Sequence, residues 1–361
     1  MDQADTAVVG RIAPSPTGRM HLGNVYAALA AWLGARASGG VVRLRIEDID
    51  RPRVVADADR WIMDDLAWLG LDWDGPVVYQ SQREGLYRQA MEHLEGLSVE
   101  EVAASLGPAG GAETGDSGDG SKQDVQPLIY PCFCSRADIR AASAPNEGDG
   151  FILYPGTCRG LDRALAQERV REGRRHAWRI AVPGEGRPGS VCRFDDAVYG
   201  AQTFDLPHAL GDVVVVRSDG IVSYQLAVSV DDLEMGVNQV VRGRDLLRST
   251  GIQLWIRQGL QAGAGGDFKQ AQPVSWAHLP LVDGADGRRL SKRFGSLDLG
   301  TLRDRGSSPQ QVVGLCAWLL GLVPRAEPVE AASLVERFEW SAVAADRQDR
   351  VVDEELLSVL A

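Results

Sequence analysis

The apolar positions change period along the chain, and the changes mark the elements. Val8 to Ala13 is a short extended run closed by the turn Pro14–Gly18. From His21 onward Val25, Leu29, Trp32 and Leu33 recur at three- and four-residue intervals, which predicts a helix that Gly39-Gly40 ends. Val41–Ile46 (VVRLRI) is a second extended run. Strand, glycine-bearing turn, helix and strand in that order predict a βαβ unit, hence an α/β fold built on a parallel sheet. Asp57–Leu69 and Arg83–Leu97 carry the spacing of two further helices. Val213–Val216 and Ile221–Ala227 read as strand-like or buried, Val237–Val241 as a short strand and 244–260 as a helix. Pro309–Leu322 opens a helical section expected to run to the C-terminus. Residues 105–126 are rich in Gly, Ser and Asp with no apolar period, which predicts a flexible insertion, and 143–150 reads as a second loose loop. There is no internal repeat.

Composition narrows the class. At 361 residues and 44% hydrophobic content the chain can bury one or two cores, so two domains or one catalytic domain with an insertion is expected. A net charge of −12 argues against a protein that coats nucleic acid, while leaving room for one local Arg-rich grip. The five cysteines are odd in number, and Cys132, Cys134 and Cys158 cluster, which favours reduced thiols and a metal site over a disulfide framework. No charged and apolar leader opens the sequence, and no apolar run approaches a membrane span. The expected compartment is the cytoplasm, with no membrane partner.

Three segments carry candidate chemistry. Arg11–Asn24 (RIAPSPTGRMHLGN) joins a proline-stiffened turn to a helix start, where free backbone N–H groups and the positive dipole end suit an anion and His21 can donate to a phosphate oxygen. An ordinary strand-to-helix turn has the same composition. Arg289–Arg293 (RLSKR) follows a glycine-bearing loop and offers Lys292 as a mobile cation for a leaving pyrophosphate, although a solvated basic loop would read the same. Cys132-Phe133-Cys134 and, further on, Tyr154-Pro-Gly-Thr-Cys158 supply three thiols suited to Zn²⁺ or, equally, a set of buried cysteines.

Taken together these segments resemble a known family. Arg11–Asn24 is similar to the HIGH signature of class I aminoacyl-tRNA synthetases, and Arg289–Arg293 to their KMSKS signature. APSPTG with HLGN, LRIEDIDRPR (44–53), YQSQR (79–83), SYQLAVSVDD (223–232) and VVRGRDLL (240–247) narrow the resemblance to the glutamyl subgroup, over most of the chain outside the insertion. Cys-x-Cys followed by Tyr-x-x-x-Cys resembles glutamyl-queuosine tRNA(Asp) synthetases, truncated relatives of glutamyl-tRNA synthetase. In keeping with that, 68 residues follow Arg293, too few for a helical anticodon-binding domain of ~100 residues.

The resemblance implies a Rossmann-like parallel sheet split by a zinc-bearing insertion. Residues 1–104 and 206–305 would form the two catalytic halves, 105–128 a flexible insertion, 129–205 the zinc-bearing segment and 306–361 a C-terminal helical junction. It implies ATP with Mg²⁺, L-glutamate and the anticodon loop of tRNA(Asp) as partners of a monomeric enzyme that activates glutamate and transfers it to queuosine; charging of tRNA(Glu) is the alternative. His21 and Lys292 would be catalytic. Arg11, Ile12, Ala13, Pro14, Ser15, Glu47, Tyr224 and Arg242 would bind glutamate, with Glu47 on the ammonium. Gly23 and Asn24 would join His21 and Lys292 at ATP. Cys132, Cys134, Tyr154 and Cys158 would hold one structural Zn²⁺, leaving Cys192 and Cys316 to the core. Arg171, Arg174, Arg175, His176, Trp178 and Arg179 form the densest basic and aromatic cluster for RNA. The motifs depart from the family pattern at Asn24, which stands for the second His of HIGH, and at Arg289, Leu290 and Arg293 of the KMSKS-like loop.

Overall fold

The computed structural model describes residues 7–106, 125–142, 152–263, 268, 272–284 and 298–360. The N-terminal unit forms as the pattern requires. Val9–Ile12 (β1) pairs in parallel with Val41–Ile46 (β2) through the intervening helix Leu22–Ala37 (α1), and β2 pairs in parallel with Val78–Tyr79 (β3). The α1 helix stops where expected. Gly39 takes φ 63°, a left-handed value that suits glycine. A Cβ on Gly40 would stand 2.3 Å from the Val8 carbonyl oxygen, so only glycine lets the chain turn back beside β1. Helices Ala58–Trp68 (α2) and Glu84–Glu95 (α3) follow. The spacing that predicted α1 understates its burial. Leu22, Tyr26, Ala30 and Ala31 are buried along with Val25, Leu29, Trp32 and Leu33, because helix Pro309–Leu319 covers the side away from the sheet.

The middle of the chain supplies two more sheet segments. Ile129–Cys132 (β4) pairs antiparallel with Ala177–Ile180 (β5), and β5 with Val213–Val216 (β8). Between them in sequence, Val191–Asp196 (β6) and Gly200–Asp205 (β7) form an antiparallel hairpin. That hairpin belongs to a four-stranded sheet, because Ser275–Leu279 (β10) lies parallel to β6 on one side and to Gln239–Gly243 (β9) on the other. The Asn238 N–H donates to the Val9 carbonyl and its side chain accepts from the Val9 N–H, so β9 lies beside β1 and the two halves meet edge to edge.

Three expectations are corrected. Ile221–Ala227 is not extended throughout: helix Tyr224–Glu234 begins inside it, with the Ser223 hydroxyl accepting from the Leu226 N–H. Cap chemistry and the Leu226, Val230, Leu233 spacing outweigh the β-branched start. The 244–260 segment opens with a 3₁₀ turn at Arg244–Leu246 before helix Ser249–Gln261. The C-terminal section is not all helical, since Arg350–Val352 (β12) adds in parallel to Val282–Gly284 (β11), each strand supplying backbone partners to the other. Cys316 is fully buried, and Cys192 packs partly buried against the core that includes Leu206 and Ile252. The 105–126 and 143–150 expectations lie almost wholly outside the described residues.

Candidate active site

The carboxyl ends of β1, β2 and β9, the start of α1 and the first turn of Tyr224–Glu234 enclose a cleft of about 610 Å³. In an open parallel sheet this is where ligands bind, because loops diverge there and helix N-termini point in. Arg11, Ile12, Ala13, Pro14, Ser15, His21, Asn24, Glu47, Tyr224 and Arg242 all line it. Gly23 sits in the first turn of α1 and does not line the cleft. The Asn24 side-chain Oδ1 accepts from the His21 backbone N–H (3.2 Å), tying the first turn of α1 together. Lys292 lies outside the described residues. The chain re-enters them at Asp298, which forms an antiparallel bridge with His21, and the Leu299 N–H donates to the Met20 carbonyl (2.9 Å).

The charged wall of the cleft is braced from behind. Arg45, fully buried in β2, donates to Glu47 (3.0 Å) and to Asp232 (2.5 Å). Arg11 lies 3.5 Å from the same Asp232 oxygen and donates to the Val241 carbonyl (2.8 Å), so it links β1 to β9. Asp231 accepts from Gln80, Arg83 and Tyr87. Burial pushes the Glu47 carboxyl above its usual range against the pull of Arg45 and Arg11, and so primes it for a cationic partner. Tyr224 is 39% exposed, although its surroundings desolvate the phenol and raise its pKa. Arg242 is buried and its guanidinium donates to His278, Gln253, Thr250 and the Leu246 carbonyl. Sequence reasoning missed Arg45, Asp231, Asp232, His278 and Asp196. An Arg placed mid-strand in VVRLRI and a paired Asp inside an apolar helix were the available signals; for Asp196 there was none.

A second cluster lies in the β4–β5 region. Cys132, Cys134 and Cys158 are free thiols whose sulfurs all lie within 4.8 Å of one another. The Tyr154 hydroxyl stands 3.4 Å from Cys132 Sγ and 3.9 Å from Cys134 Sγ, and Cys134 Sγ stands 3.6 Å from Cys158 Sγ. A tetrahedral ion with Zn–S near 2.3 Å and Zn–O near 2.0 Å needs edges of about 3.8 Å and 3.5 Å, close to these three separations. Burial and the neighbouring thiols push Cys134 up to about 11, whereas hydrogen bonds from Tyr154 and the Arg179 guanidinium lower Cys132 despite its burial. Arg179 belongs to this scaffold and not to an RNA-facing cluster: it is buried, 3.7 Å from the Tyr154 ring centroid, and donates to the Asp212 carbonyl. Arg171, Arg174 and Arg175 are exposed. The His176 ring lies 5.1 Å from Trp178 and 5.6 Å from Phe133, with Arg174 5.6 Å over the Phe133 face.

A family model, the catalytic domain of class I tRNA synthetases (E and Q), matches residues 7–97 and 126–352. The chain belongs to that family. Within it, the chain groups with glutamyl-Q tRNA(Asp) synthetases. It is 41% identical over 348 residues to one from Symbiobacterium thermophilum, covering 92% of this chain and 93% of that protein. It is also 41% identical over 317 residues to one from Nitratidesulfovibrio vulgaris, covering 87% of each. Among solved structures, a glutamate tRNA ligase from Elizabethkingia meningosepticum in complex with its amino acid superposes with a TM-score of 0.72 at 25% identity, covering 98% of this chain and 68% of the ligase. The enzyme is thus a class I synthetase-like ligase. Among the described residues no helix is long and apolar enough to cross a membrane.

Proposed function

We propose that the enzyme activates L-glutamate with Mg·ATP and transfers it to the queuosine base at the first anticodon position of tRNA(Asp). The observation that carries the glutamate half is the convergence on one cleft of Arg11, Arg242 and Tyr224, which suit carboxylates, with Glu47, which suits an ammonium, beside the N-terminus of α1. A carboxylate oxygen of glutamate attacks the α-phosphorus of ATP, the bond to the β-phosphate oxygen breaks, and glutamyl-adenylate and pyrophosphate form. Ile12, Ala13, Pro14 and Ser15 shape the glutamate side. His21, Asn24 and the dipole of α1, in whose first turn Gly23 sits, receive the triphosphate, and Lys292 neutralises the departing pyrophosphate. A hydroxyl of the queuosine cyclopentenediol then attacks the acyl carbon, releasing AMP and a proton.

The acceptor half is supported by relatives named glutamyl-Q tRNA(Asp) synthetases that align over nearly their full length. Charging of tRNA(Glu) is the second reading, favoured only by the glutamate tRNA ligases among the structural neighbours. Cys132, Cys134, Tyr154 and Cys158 would hold one Zn²⁺, which ties the end of β4 to the Tyr154–Cys158 segment and takes no part in the chemistry. The anticodon loop would be gripped by exposed arginines and aromatic faces. The test offers ATP and labelled glutamate with queuosine-containing tRNA(Asp), queuosine-free tRNA(Asp) or tRNA(Glu). Label on the first alone is expected, and label on tRNA(Glu) alone would reverse the acceptor assignment.

A further inference from the structure

Arg242 is held from behind by a chain of buried groups that crosses three neighbouring strands. In the parallel register of β9 and β10, Arg242 faces His278. On the other side of β10, Asp196 ends β6. Arg242 Nε donates to His278 Nε2 at 3.0 Å, and His278 Nδ1 meets Asp196 Oδ2 at 2.6 Å. The His278 and Asp196 side chains have no exposure to solvent. The sequence stretch HLPL contains this histidine, and nothing in the proposed reaction uses it.

We propose that His278 and Asp196 are positioning residues for substrate selection: Asp196 fixes the histidine tautomer, and the histidine aims Arg242 at the substrate carboxylate. This rests on the glutamate reading of the cleft. The hydrogen-bond inventory decides the tautomer. Arg242 Nε–H can only donate, so Nε2 must carry a lone pair. Thr250 Oγ1, which accepts from Arg242 Nη2 (2.7 Å), also stands 3.3 Å from Nε2 and has its own proton to offer there. The ring proton therefore sits on Nδ1, against Asp196. That carboxylate cannot turn away, because its Oδ1 accepts from the Val198 and Tyr199 N–H groups (3.0 and 2.9 Å) and its Oδ2 from the His278 N–H (3.1 Å). Burial lowers the His278 pKa, which keeps the ring neutral and able to accept from the guanidinium.

The arrangement predicts a signature that plain structural support would not give. In Asp196→Asn the amide oxygen takes the two backbone N–H groups, and the amide nitrogen then faces Nδ1. The ring proton must move to Nε2, donor against the donor of Arg242. The expected result, in tRNA-dependent pyrophosphate exchange, is a KM for glutamate raised by about tenfold or more, the cost of setting one buried donor against another, with the KM for ATP unchanged. His278→Gln places an amide oxygen near the Nε2 position and keeps a glutamate KM closer to wild type. Asp196→Asn combined with His278→Gln should be no worse than His278→Gln alone, because no tautomer remains to be set.

A glutamate KM for Asp196→Asn within twofold of wild type, or a double variant whose defect is the product of the single ones, would overturn the proposal. Arg242→Lys is the control: if it leaves the glutamate KM unchanged, the glutamate reading of the cleft fails and takes this proposal with it. Should Asp196→Asn not fold, ¹⁵N spectra of the wild-type histidines decide. A His278 protonated at Nδ1 and bare at Nε2 supports the assignment, and the reverse tautomer sinks it.

Discussion

Replacing Glu47 by Gln exchanges one oxygen for an NH₂ group and removes one negative charge from the cleft wall. The fold tolerates it, because Arg45 keeps Asp232 at 2.5 Å and Asp231 at 3.8 Å after losing Glu47. What goes, on the proposed glutamate reading, is a charge-assisted hydrogen bond to the substrate ammonium. Such a bond is worth about 1.5–3 kcal/mol. At about 1.4 kcal/mol per tenfold, the KM for glutamate rises roughly 10- to 150-fold. The KM for ATP should stay put. The pH dependence adds a second signature. Burial raises the Glu47 pKa, so in the wild type the carboxylate protonates above the usual carboxylate range as pH falls, and glutamate affinity declines there. The Gln variant lacks that limb. The stability sign is the opposite one. A carboxyl with a raised folded-state pKa disfavours the folded state while it is ionised, and that penalty fades as pH falls. At neutral pH the variant should therefore melt no lower than wild type. Glutamate-dependent pyrophosphate exchange in the presence of tRNA, run from pH 8 downward, reads all of this. A glutamate KM within twofold of wild type, or an acid limb that survives the substitution, would refute the reasoning.

Metal analysis should find one zinc per chain, and a chelator should lower the melting temperature; a metal-free protein with the same melting curve would dismiss the site. Tyr154→Phe keeps the ring beside Arg179 and deletes the hydroxyl that accepts the Cys158 N–H at 2.8 Å; zinc affinity should fall about 10- to 100-fold, and an unaltered affinity would remove Tyr154 from the ligand set. Gly314→Ala puts a Cβ 1.9 Å from the Glu327 carbonyl oxygen and 2.7 Å from its carbon, contacts that no side-chain rotation relieves. It should cost about 3 kcal/mol in denaturant unfolding, more than Gly34→Ala, whose Cβ meets the movable Trp340 and Gln239 side chains; equal stabilities would show that the backbone there yields.

Legibility followed the range of the interaction. The βαβ start was plain because helix spacing, strand runs and Gly39-Gly40 are all local signals. The lining residues Arg11–Ser15, Glu47, Tyr224 and Arg242 were found through motif resemblance; composition and spacing alone left each with an ordinary alternative. Tyr224 was placed in the right wall, but the strand-like or buried reading of Ile221–Ala227 left its element open, because Ile221 and Val222 hid the Ser223 cap that starts the helix. Arg179 was misread as surface because a basic run does not say which member turns inward.

The sequence by itself determined the family, the N-terminal βαβ unit and the spacing of the thiol cluster, since these depend on neighbours a few residues apart. Tertiary structure alone decided that Arg45 braces Glu47, that β12 closes on β11, and that Asp196, His278 and Arg242 form one line. In a parallel sheet, adjacent strands are joined by long crossovers, so groups that touch stand far apart in the chain. Pairing register sets which of them meet, and no tight turn fixes it between strands joined by such crossovers.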